Sequence, residues 1–125
     1  MKAFFAPAAA ALALMAGAAR ADCTYPAAPD KIPDGASATL EQMIDGQKAI
    51  KAYDKAINDY VSCIDKELEE AIAKGGDKLK PQQKADMQKV EAQKHNAAID
   101  QLQSVADRFN EQVKAYKAKA ADKKS

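Results

Sequence analysis

From Met43 through Ile50 and Ile57 to Ile64 a large apolar side chain returns at every seventh residue, with Gly46, Tyr53 and Tyr60 in the intervening places. A seven-residue repeat is the period of a helix that lays one narrow seam against another helix, and no strand shares it. Downstream the seam drifts to Leu68 and Ile72, as happens when a straight helix carries a heptad pattern. A second stripe follows at Ala98, Leu102, Val105, Phe109 and Tyr116, widened by Ile99, Ala106 and Val113. Between the two, residues 82–94 offer only Met87 and Val90.

The chain's breakers fall where a hairpin needs them. Thr39 followed by Gln42 is a capping-box arrangement, in which each side chain bonds the other's backbone, and it opens a first helix over 39–74. Gly75-Gly76 offers left-handed C-terminal geometry, and residues 75–80 read as the turn. Pro81, with Asp77 upstream as the expected cap, opens a second helix over 81–121 that no Pro or Gly interrupts. Lys117, Lys119, Lys123 and Lys124 suit the negative end of its dipole, the last residues forming a tail at 122–125. So short a turn makes the helices antiparallel neighbours. The expected fold is all-α: a long antiparallel, coiled-coil-like hairpin on the order of 50 Å from end to end.

Ahead of it, Lys2 supplies a positive start, residues 3–19 are an uncharged Ala-rich run, and Ala19-Arg20-Ala21 is an A-x-A cleavage signal. Residues 1–21 read as a secretory signal peptide. The run is too short and alanine-rich for a membrane span, Pro7 interrupts it, and Arg20-Ala21-Asp22 before Cys23 does not suit lipidation. Residues 22–125 carry 17 basic and 18 acidic side chains, a net charge of −1 that points to neither nucleic acid nor an anionic membrane. Only 24 of their hydrophobic residues are not alanine, a thin supply for a core. The mature chain is expected in the periplasm or, alternatively, secreted, without stable membrane insertion.

In such an oxidising space Cys23 and Cys63 have one intramolecular pairing, and a structural disulfide is expected. Neither cysteine has the C-x-x-C spacing of a catalytic redox pair. Residues 22–38 form an extended, Pro-rich leader with Pro26, Pro29 and Pro33, ending at an Asp34-Gly35 turn. From Thr39 to Cys63 is about 36 Å of helix, whereas the leader spans up to about 50 Å in polyproline II form. It therefore reaches back along the first helix as a strap, and Tyr25 and Ile32 become available to cover the groove. The competing way to cover it is a dimer forming a four-helix bundle.

Candidate chemistry is sparse. His95 is the only histidine, which excludes two-histidine metal sites and most catalytic triads. Met87, Glu91 and His95 share one helical face and make a weak metal candidate, while a polar seam residue fixing the helix register is the preferred reading of His95. Hairpin pairing brings it near Tyr60 to Ile64. Tyr53 and Tyr60 read as core packing with hydroxyls at the edge in preference to an aromatic groove for a peptide or glycan. Asp65, Glu67, Glu69 and Glu70 read as a solvated acidic face. No serine has a recognisable histidine partner, and there is no Gly-rich phosphate loop or nucleotide fingerprint. No catalytic residue and no cofactor is expected.

The ordered run Cys23, Pro33-Asp34-Gly35-Ala36, Thr39-Leu40-Glu41-Gln42-Met43, Gln47, Tyr53, Tyr60 and Cys63 resembles small, mostly uncharacterised helical proteins exported to the proteobacterial periplasm. The resemblance covers roughly residues 23–68 and implies an exported helical protein without implying a catalytic residue, cofactor or partner. The repeated Leu-Thr-x-x-Gln motif of periplasmic helical chaperones is missing. The expected role is a non-enzymatic structural or protein-interaction module of the cell envelope, acting on an unidentified protein or by self-association. The alternative is a chaperone-like protein, or one binding a small ligand or metal in a groove around Met43, Tyr53, Tyr60 and His95.

Overall fold

Thr39 caps the first helix as the sequence implies. Its Oγ1 accepts from the Gln42 N–H at 3.2 Å, and Gln42 Oε1 accepts from the Thr39 N–H at 2.8 Å. The helix, α1, therefore starts one residue on, at Leu40–Gly75, with Thr39 still extended. A short 3-10 turn, Gly76–Lys78, leads to α2, Pro81–Asp122. These elements come from a computed structural model that describes residues 23–123. The signal-peptide reading of residues 1–21 lies outside the described residues, as does the end of the tail. Among them the fold is all-α, a helical hairpin, and no helix is long and apolar enough to cross a membrane.

The turn differs from expectation at two residues. Asp77 does not cap α2, because it is consumed inside the 3-10 turn. The N-cap is Lys80, whose N–H donates to Gln83 Oε1 at 2.9 Å, so the cap is made by a side chain reaching back from the first turn. Of the two glycines only Gly76 leaves ordinary space, at φ 46° and ψ −133°; Gly75 keeps helical angles. The Gly76 N–H closes onto the Ile72 carbonyl, and its backbone angles are ones a side chain would strain.

The leader doubles back as a strap, antiparallel to α1. Cys23 is bonded to Cys63 with their Cα atoms 5.7 Å apart. Tyr25 meets Tyr60 edge-on, centroids 5.0 Å apart, and Ala28 and Ile32 follow onto the cluster of Tyr53, Ile57, Ala98 and Val105. Pro33 then reaches Gly46. At Asp34 the strap turns: the side chain accepts from the Ala36 N–H at 3.0 Å and from the Ser37 hydroxyl at 3.2 Å, and the carbonyl accepts from the Ala38 N–H at 2.7 Å. Ile32 also packs on the second cluster, Ala38, Met43 and Phe109, so the strap joins two cores into one. Both seams are where the heptads put them, with Met43, Tyr53, Ile57, Ile64, Ala98, Val105 and Phe109 buried.

Two glycines permit the strap to lie this close. A Cβ on Gly46 would sit 2.7 Å from Pro33 Cγ and 3.0 Å from Phe109 Cε2. One on Gly35 would overlap the Gln112 backbone carbonyl. Two side chains of α2 fasten the strap from the other side: Gln112 Oε1 accepts from the Gly35 N–H at 2.9 Å, and Lys119 Nζ donates to the Ala38 carbonyl at 2.7 Å.

Candidate functional site: the open half of the hairpin

The groove around Met43 and Tyr53 is filled. Met43 is 6% and Tyr53 3% exposed, with strap residues over them, so no aromatic groove remains there for a peptide or glycan. The Tyr53 hydroxyl does not reach the edge as expected. It is buried, makes no well-formed hydrogen bond, and has the Tyr25 side chain as its polar neighbour. Burial first, and the neighbouring Tyr25 second, push its pKa above the ordinary phenol value.

Beyond Cys63 the strap has ended, and no residue in the first part of α2, from Pro81 to Ala97, is buried. A trough of about 350 Å³ opens between the helices, floored by Ile64, Leu68, Met87 and Val90. Glu67, Asp86, Glu91 and Lys94 form its rim, and Val90 is 50% exposed. The shortage of apolar residues in 82–94 is what leaves it unfilled.

At the edge of this trough the structure brings Glu91 and His95 together, while Met87 of the same expected trio lies on the trough floor and not with them. The third member of the cluster is Asp65, from α1. The sequence pattern places it on a solvated acidic face; it is exposed, but it is turned toward α2, whereas Glu69 and Glu70 are exposed on α1 outside the cluster. One ligand atom from each of Asp65, Glu91 and His95 lies within 4.8 Å of the others. His95 Nδ1 is 3.9 Å from Glu91 Oε1, too far for a hydrogen bond, and that buried oxygen has no fixed donor, only the Asp65 carboxyl with which it can share a proton. Proton sharing with the Asp65 carboxyl, then burial, then the Asp65 charge raise the Glu91 pKa above the usual carboxylate range, and His95 opposes them. His95 itself has a side chain 41% exposed, so it stands beside the seam and not in it.

Glu67 accepts from the Cys23 N–H at 3.3 Å and lies beside both cysteines, but these are bonded to each other and offer no thiolate to a metal. Sequence reasoning also missed Gln112 and Lys119, which hold the strap. Both sat in polar stretches whose partners are 77 and 81 residues away, and no local pattern signals such a pairing.

These features define a class, the disulfide-strapped helical hairpin with one closed and one open half. No family model matches the chain, and neither a curated protein nor a solved structure shows significant similarity to it.

Proposed function

We propose that the chain is an exported, non-enzymatic helical module of the periplasm that works by contact with another protein, through the open half of its hairpin. The observation that carries this reading is the division of the seam, closed by the strap over one half and left as an apolar trough over the other. A disulfide in a small helical chain fits export to an oxidising compartment, and the resemblance of residues 23–68 to exported proteobacterial proteins points the same way. The occupant is an amphipathic segment of a second exported protein. Four apolar side chains at the floor of a trough of about 350 Å³ suit a few side chains of one short amphipathic segment, a weak, transient contact below the roughly 1,200 Å² of a stable interface.

A photo-crosslinking residue at Val90, compared with one at exposed Asp107, tests this in cells that make the protein. The expected result is a discrete adduct with another exported protein from Val90 only, abolished by Leu68→Glu. An adduct at twice the chain's own mass, or equal adducts from both positions, would overturn it.

A further inference from the structure

We propose that Asp65, Glu91 and His95 form a three-ligand site for a divalent transition cation of the Zn²⁺ and Cu²⁺ class, tying α1 to α2 in the half of the hairpin that the strap does not reach. Glu91 and His95 are four residues apart on one face of α2, and Asp65 approaches from α1, so the donors converge from two helices. Their ligand atoms already lie within 4.8 Å of one another. Bonds of about 2.0–2.2 Å to a common centre need only small side-chain rotations from there.

The setting of the Glu91 oxygen is the second reason. Glu91 Oε1 is buried and has no fixed donor: the Asp65 carboxyl can bond it only by sharing a proton, and His95 Nδ1 stands 3.9 Å away, although native structures rarely leave such an atom without a full partner. Pressing two carboxyl groups together concentrates negative charge that one imidazole only partly offsets. A cation answers both conditions at once. One imidazole nitrogen with two carboxylate oxygens suits Zn²⁺ or Cu²⁺, whereas Mg²⁺ and Ca²⁺ favour shells of oxygen alone and more ligands. Three protein ligands leave a tetrahedral shell one position for water or for a side chain of a partner.

The experiment is a competition titration of the full mature chain with Zn²⁺ against a chromophoric chelator, with Mg²⁺ and Ca²⁺ in parallel. His95→Ala, Glu91→Gln and Asp65→Asn are each expected to lower Zn²⁺ affinity by at least about tenfold, since loss of an outer-shell partner alone costs about 10–100-fold. Glu69→Gln and Glu70→Gln, which alter exposed carboxylates outside the cluster, should leave it unchanged. Zn²⁺ should also shift the imidazole resonances of His95, the only histidine. Circular dichroism checks the fold of each variant. Asp65 is exposed, so Asp65→Asn keeps the test decisive if either of the other variants unfolds. Equal affinity in wild type and Asp65→Asn, no movement of the His95 resonances, or an equal loss in the Glu69 and Glu70 variants would overturn the proposal.

Discussion

Tyr53 shows how a single side chain can be legible in place and illegible in environment. The heptad put its ring in the seam, but whether the hydroxyl meets water depends on where the strap lies, which is a matter of pairs distant in sequence. Because the hydroxyl is buried with no well-formed hydrogen bond and only Tyr25 as a polar neighbour, Tyr53→Phe removes a desolvation cost and keeps the ring. Stability in urea is expected to be unchanged or raised by about 1 kcal/mol at neutral pH. The phenol's folded pKa is raised, so the wild type holds its stability below the unfolded value of about 10 and loses it as pH rises through that value and toward the folded one. Tyr53→Phe lacks this loss, and the gap between the two proteins should widen in alkaline solution. A Tyr53→Phe variant clearly less stable at neutral pH would show that the hydroxyl makes a stabilising bond, with Tyr25 the first candidate.

At the scale of elements, the two helices were written in the sequence because their signals are local: a seven-residue repeat, a Thr39 to Gln42 cap, a Gly-Gly break and a Pro start. The cap of α2 departs from the sequence pattern for an equally local reason: Asp77 lies inside the 3-10 turn, and Gln83 reaches back to the Lys80 N–H in its place. Gly46 is the residue on which the two levels disagree. Helix propensity alone favours alanine there by about 1 kcal/mol, yet the ring of Pro33 occupies the space a methyl group needs. Gly46→Ala is therefore expected to destabilise by roughly 1–3 kcal/mol, the usual cost of overpacking. Pairing it with deletion of residues 23–38 should shrink the cost, because only the close approach to Phe109 then opposes the helix gain. Thermal melts of the two pairs, each variant against its own glycine parent, decide it, and a stabilised Gly46→Ala in the strapped protein would contradict the packing.

For the whole molecule, the thin core is answered by the strap over one half and by nothing described over the other. The path of the strap is legible from the Cys23 and Cys63 pairing together with lengths, about 50 Å of leader against about 36 Å of helix. Its fastening by Gln112 and Lys119, and the meeting of Asp65 with Glu91 and His95, depend on contacts that only the folded hairpin creates. A link closing a loop of 40 residues contributes up to about 4 kcal/mol in the chain-entropy picture. Reduction should lower the melting temperature accordingly, and an unchanged value would remove the link from the account of stability.

The division of the hairpin into a closed and an open half is tested most directly by amide hydrogen exchange, residue by residue, on the oxidised and reduced protein. In the oxidised state the slowest amides should lie at 50–61 of α1 and 98–113 of α2, with 82–94 exchanging much faster. On reduction the slow set should accelerate while 82–94 stays as it was. Uniform protection along both helices, or a slow set indifferent to reduction, would contradict the account.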